Sequence, residues 1–192
     1  MRVYLGTSPR AIQKNGKLLT DLYEVIQELG YEQLSDFVVK IDPGKFYEKT
    51  RAELEKHHRQ TVKQISKADI AVFEVSVNSL STGFLINLAL DMGKSVVLVS
   101  GEKNEPILFR SVDLDKLLYA VYKETDREGL KIMMERVLKR AAKQIDTRFN
   151  FFVSPKMANF LDWVAREKKI PRAVFLRRLI DKEMKKEKDF VG

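Results

Sequence analysis

Short apolar runs alternate with amphipathic stretches along the first 145 residues. Arg2–Gly6 predicts a buried strand, ended by the turn Gly6-Thr7-Ser8-Pro9. Leu18, Leu22, Val25, Ile26 and Leu29 share one helical face, so Arg10–Leu29 predicts a helix that Gly30 closes. Further strands are predicted at Phe37–Ile41, Ile70–Val75, Ser95–Ser100 and Leu117–Tyr122. Helices are predicted over the charged stretch Phe46–Lys67 and over Leu80–Met92. Another is opened by Thr125-Asp126-Arg127-Glu128, read as a capping box, and runs to about Ile145. Strands alternating with helices imply an α/β fold, a flavodoxin- or Rossmann-like three-layer parallel sheet of about five strands. In that strand order ligands sit at the carboxyl ends of the first and third strands.

The pattern changes after residue 145. Arg148-Phe149-Asn150-Phe151-Phe152-Val153 alternates with period two, with Phe149, Phe151 and Val153 on one face and Arg148, Asn150 and Phe152 on the other. Ser154-Pro155 opens a helix carrying Met157, Phe160, Leu161 and Val164. A break at Lys168-Lys169-Ile170-Pro171 leads to a second helix with Val174, Phe175, Leu176, Leu179 and Ile180. One strand and two helices are too small to bury so many large apolar groups alone. The expected organisation is an α/β domain over 1–145 and a pairing module over 146–192.

The order strand, helix, helix resembles the ribbon-helix-helix family of DNA-binding dimers, over about residues 146–186. The resemblance implies a homodimer through residues 148–186 whose paired strands enter the major groove of double-stranded DNA. Arg148, Asn150 and Phe152 would then face base edges, types suited to guanine, adenine and a thymine methyl. Lys169 and Arg172 would contact phosphate. They stand in a turn where the family has Gly followed by Ser or Thr, and where Pro171 removes one N–H donor. The alternative is a dimerisation module with a solvated polar face.

Charge adds to this picture. The net charge is +8, and the segment from Ile145 onward holds 12 Lys/Arg against 7 Asp/Glu. A basic excess concentrated there favours a polyanionic partner. No cysteine is present, which removes disulfides and thiolate metal sites. His57 and His58 are adjacent, without metal-site spacing, and read as solvated surface residues. The expectation is no metal, no cofactor, no membrane span and a cytoplasmic protein.

The expected cleft joins Gly6-Thr7-Ser8-Pro9-Arg10 to Glu74-Val75-Ser76-Val77-Asn78-Ser79-Leu80-Ser81-Thr82-Gly83. Both are small, hydroxyl-rich segments preceding helices, a setting that favours an anion. The alternative is that these are ordinary cap and turn residues. Asp69, Glu74, Val75, Ser79, Leu80, Gly83, Ala89, Gly93 and Lys94 resemble the nucleoside 2-deoxyribosyltransferase superfamily, above all its 2′-deoxynucleoside 5′-phosphate N-hydrolase branch. The similarity spans about residues 1–100. It implies that Gly6, Ser8, Arg10, Ser79, Ser81 and Gly83 bind a phosphorylated ligand such as a nucleoside monophosphate. It also implies a nucleophilic Glu at position 85 and a partner Asp at position 61. Leu85 and Thr61 stand there instead, and leucine cannot attack an anomeric carbon.

Glu74 ends the third strand near this cleft and reads as a carboxylate bonded to neighbouring N–H groups. Asp42 and Tyr47 lie after the second expected strand, within reach of a ligand. Trp163 reads as packing. Together these features predict a DNA-binding dimeric regulator whose α/β domain is catalytically inactive and senses a nucleotide. The second reading is a nucleotide N-glycosidase or deoxyribosyltransferase with a displaced carboxylate, using the tail only to dimerise.

Overall fold

The structure, a computed structural model, describes residues 1–101, 116–123, 126–144 and 151–187. The chain forms two compact units, Met1–Asp146 and Thr147–Gly192. In the first, the elements run β1 (Arg2–Gly6), α1 (Pro9–Glu28), β2 (Glu32–Gln33), α2 (Phe37–Lys40), α3 (Pro43–Phe46), α4 (Arg51–Lys67), β3 (Ile70–Glu74), α5 (Leu80–Asp91), β4 (Ser95–Gly101), β5 (Leu117–Tyr122) and α6 (Arg127–Lys143). All strands are parallel, in the order β2-β1-β3-β4-β5. The expected α/β class and five-stranded sheet therefore hold.

Alternation within the strands divides the core into two layers. Val3, Leu5, Ile70, Val72, Val97 and Val99 face α1 and α6, where Leu19, Leu22, Ile26, Met134 and Leu138 cover them. Tyr4, Ala71, Phe73, Val96 and Leu98 face the other way, against Ile65 of α4 and Ile86 and Ala89 of α5. Strands buried on both faces read as continuous apolar runs, which is why β1, β3 and β4 are visible in the sequence.

Helices α1 and α5 end alike. Gly30 and Gly93 take positive φ, 83° and 72°, and the following N–H groups of Tyr31 and Lys94 return to Ile26 and Ala89. These are Schellman closures, in which glycine meets no steric penalty. Lys94, one of the residues matching the superfamily pattern, donates Nζ to the carbonyls of Ser66 (2.7 Å) and Ala68 (2.8 Å). Asp69, another match, accepts from the backbone N–H of Arg2 at 2.7 Å. Asp69 and Lys94 thus latch the amino-terminal ends of β1, β3 and β4, opposite the cleft.

Two sequence expectations fail in this unit. Phe37–Ile41 is not a strand. The Ser35 hydroxyl accepts from Phe37 N–H at 3.2 Å, and a single helical turn follows that buries Val38 among the core residues packed with α1. The second strand is Glu32–Gln33, a two-residue edge paired through Arg2–Glu32 and Val3–Gln33. The long helix expected over Phe46–Lys67 is also broken. Asp42 caps the short α3, accepting from Gly44 and Lys45 N–H, and Thr50 with Glu53 forms a capping box that starts α4 anew. At α6 the cap is Asp126, which accepts from Gly129 N–H at 2.9 Å; Thr125 and the expected helix end at Ile145 lie outside the described residues.

The second unit contains α7 (Pro155–Glu167) and α8 (Arg172–Met184). Ser154 caps α7 and Pro155 occupies its first turn. Lys169 has φ 51°, the left-handed conformation where the ribbon-helix-helix pattern carries glycine. Pro171 stands before α8 as its N-cap residue rather than within its first turn. Phe160 stacks with Trp163 and meets Phe175 edge-on, and Arg172 pairs with Asp162. Among the described residues of this unit only Leu161 and Val164 are buried. Of the expected strand, Arg148, Phe149 and Asn150 lie outside the described residues, and Phe151–Val153 form no strand in the single chain.

Candidate functional site

The carboxyl end of β3 places Glu74 beside the carboxyl end of β1, where the chain switches from winding one way across the sheet to the other. Crevices in open α/β sheets form at such a switch. Glu74 is 1% exposed. Ser76 N–H and the Tyr122 hydroxyl donate to its Oε1, at 3.0 and 3.1 Å. The Thr7 hydroxyl lies 3.1 Å from both Oε2 and the Glu74 carbonyl oxygen. With Tyr122 donating to Glu74, the Ser76 hydroxyl donates to Tyr122 (3.2 Å) and itself accepts from Gly101 N–H at 2.9 Å. A relay therefore runs from the end of β4 through Ser76 and Tyr122 to Glu74, each step polarising the next. No Lys, Arg or His pairs with Glu74 among the described residues.

Two helix starts flank this carboxylate. Ser8 caps α1, accepting from Ala11 N–H at 3.2 Å, and Ser79 caps α5, accepting from Thr82 N–H at 3.3 Å. Ser8 is buried, while Arg10 and Ser81 are exposed and Ser79 and Gly83 half-buried. The Thr7–Glu74 bond ties the two loops together. Gly6 has a packing reason of its own. A Cβ there would lie 2.7 Å from Tyr4 Cε1 and 3.1 Å from Phe73 Cδ1.

The two positions expected to carry carboxylates are built into packing. Leu85 lies on α5 against the second core layer. Thr61 is buried on α4 near the Tyr4 hydroxyl, whose ionisation is pushed above its ordinary range mainly by burial. Asp42 is occupied as the cap of α3, and Tyr47 projects into solvent beside Phe46. Trp163 belongs to the second unit, under Lys168 at 5.9 Å. There too, Phe152 is fully exposed and Lys169 lies in the turn before α8. Among the described residues no group of three His, Asp or Glu side chains could hold a metal ion.

Sequence reasoning missed Tyr122 and Ser76. Tyr122 belongs to β5, two strands from β3, and only the registers Glu74–Val99 and Gly101–Tyr122 bring it to Glu74. It also misjudged His57. That ring packs against Phe37 (4.9 Å) and Phe46 (5.4 Å), so it is not a solvated surface histidine. Burial, then the charges of Lys49 and His58, hold its imidazole below the ordinary value of 6.5. The unfolded chain therefore takes up this proton at higher pH than the folded one. Stability present above about pH 6.5 is lost as pH falls through the lower folded value. Melting temperature should fall between neutral pH and pH 5, and His57→Phe should flatten that dependence. Parallel curves for the two proteins would contradict this assignment.

No family model and no curated protein matches the sequence. Solved structures similar to it include the CMP N-glycosidase of Clostridium botulinum, at 20% identity over 72% of this chain and 98% of the other, with a TM-score of 0.46. Another is the 2-deoxyribosyltransferase of Bacillus psychrosaccharolyticus, a psychrotolerant bacterium, at 19% identity over 68% of this chain and 90% of the other, with a TM-score of 0.48. The expectation of a DNA-binding regulator with an inactive α/β domain is corrected here: these similar structures are nucleoside-processing enzymes. Arg148 and Asn150, the residues meant to read bases, lie outside the described residues. No helix among the described residues is long and apolar enough to cross a membrane.

Proposed function

We propose that this chain is a nucleotide N-glycosidase or deoxyribosyltransferase in which Glu74 supplies the carboxylate that Leu85 cannot. The observation that carries this reading is the burial of Glu74 at the switch point, with no cation beside it among the described residues. A buried carboxylate without a paired charge is costly, and such groups cluster at functional sites. Its Oε1 is held by Ser76 and Tyr122, which fixes the side chain, while Oε2 accepts from the Thr7 hydroxyl. Thr7 is half-buried, and a sugar reaching Oε2 must displace its hydroxyl.

In the first step Oε2 attacks the anomeric carbon and the carbon–nitrogen bond breaks. The electron pair goes to the base, which leaves after taking a proton from water. In the second step water, or the nitrogen of another base, displaces Glu74 from the sugar and gives up its proton to solvent. The helix starts at Ser8 and Ser79, with Arg10, Ser81 and Gly83 beside them, suit the 5′-phosphate of a nucleoside monophosphate. Incubation with 2′-deoxynucleoside monophosphates and chromatography for free base tests the reading. Base release supports it, and none after prolonged incubation at millimolar substrate overturns it.

The tail's part in this proposal is to pair two copies. In the second unit Met157, Phe160, Trp163, Leu179 and Ile180 remain exposed, and no residue of α8 is buried. A unit this small gains a core by oligomerisation. Light scattering should give a dimer, and Phe160→Asp with Ile180→Asp should give a monomer. A monomeric parent chain would contradict the pairing.

A further inference from the structure

A second concave site lies between the middle of α1 and the start of α6. It encloses about 510 Å³, a volume within the range of small-molecule sites. The concavity has a local cause. Helix α1 is interrupted at Asn15, whose φ and ψ of −132° and 36° are not helical, and Gly16 follows with no side chain. A Cβ added at Gly16 would meet nothing within 4 Å, so the wall stands open there.

The charges around this opening are unequal. Lys14, Lys17, Lys123 and Arg127 line it, against Asp21 and Asp126. Both acids are already engaged. Asp126 caps α6 through Gly129 N–H, and Asp21 faces Arg127 at 3.7 Å. Arg127 is itself clamped by Glu24 (3.3 Å) and Glu28 (2.7 Å), which fixes its guanidinium. The three lysines have no ion pair among the described residues. Three exposed ammonium groups without an ion pair among the described residues give this concave wall a positive potential. The amino-terminal end of the 17-residue α6 adds its dipole with the same sign.

We propose that this groove binds a small oligophosphate, a ligand carrying two or three linked phosphate groups. A single phosphate would leave lysine charge uncompensated, whereas a di- or triphosphate chain can meet Lys14, Lys17 and Lys123 together. The concave shape favours a small molecule over a polymer, which binds along open stripes of charge. This inference is independent of the glycosidase reading, since Glu74 is not among the residues that line the groove.

The full-length protein is titrated calorimetrically with orthophosphate, pyrophosphate and tripolyphosphate at fixed ionic strength. Binding should strengthen along that series. Lys17→Glu with Lys123→Glu should weaken tripolyphosphate at least about tenfold, a loss of roughly 1.4 kcal/mol. Gly16→Leu, which fills the groove without changing charge, should weaken it similarly and keep the fold, as circular dichroism would confirm. Lys56→Glu with Lys63→Glu on α4, and Lys168→Glu with Arg177→Glu on the tail, should leave it unchanged. Absence of tripolyphosphate binding overturns the proposal. So does binding that survives both groove variants, or binding that the α4 or tail variants reduce equally, which marks general attraction to a basic surface.

Discussion

Replacing Glu74 by glutamine should lower base release by at least roughly 10³-fold, as expected when a reacting group is removed from an otherwise intact site. The substitution is close to isosteric. The amide oxygen can still accept from Ser76 N–H and Tyr122, and the amide nitrogen can donate to the Thr7 hydroxyl, so every existing partner keeps a role. The variant should therefore fold at least as stably as the parent at neutral pH, because a buried charge with no cation beside it among the described residues has been neutralised. The contrast between lost activity and retained stability is the informative result. A variant that melts far lower would show Glu74 to be mainly structural. One that keeps parental turnover would remove it from the chemistry.

Substituting Gly6 by alanine should destabilise the α/β unit by about 2 kcal/mol, the usual scale for overpacking a filled core. The added carbon would sit 2.7 Å from the Tyr4 ring. That ring cannot swing aside freely: it is buried and its centroid lies 5.7 Å from that of Phe73. Relief requires β1 or the Tyr4–Phe73 pair to shift, next to the Thr7–Glu74 bond. Melting should drop by roughly 4–8 °C for a domain of this size. An unchanged melting temperature would show that the layer behind β1 yields more easily than its packing suggests.

The fold was legible where burial on both faces leaves an unbroken apolar run, as in Ile70–Glu74 and Ser95–Gly101. It was illegible at the edge. Glu32–Gln33 is too short and too polar to announce a strand, and its pairing with β1 is set by tertiary position alone. Phe37–Lys40 misled in the opposite direction. Its Phe and paired Val residues favour a strand, but the bond from Phe37 N–H to the Ser35 hydroxyl and the burial of Val38 outweigh that preference. In the candidate site, the serine caps and the strand-end Glu74 could be read from local pattern. Tyr122 could not, because its approach to Glu74 depends on the register across β3, β4 and β5.

The resemblance itself divides in the same way. Asp69, Gly93 and Lys94 match a superfamily pattern, yet they hold strand starts and a helix end. Those matches report how the sheet is assembled. Ser79 and Gly83 lie at the opposite end, on the start of α5, where a ligand could use them.

The central claim is that Glu74 itself forms the bond to the sugar. A nucleotide whose sugar bears a 2′-fluorine slows departure of the sugar from such an ester, so the intermediate can accumulate and be located by peptide mass mapping. The account predicts a sugar-phosphate adduct on the peptide containing Glu74, absent from Glu74→Gln. An adduct on another carboxylate, or base release from the Glu74→Gln variant at the parental rate, would contradict it.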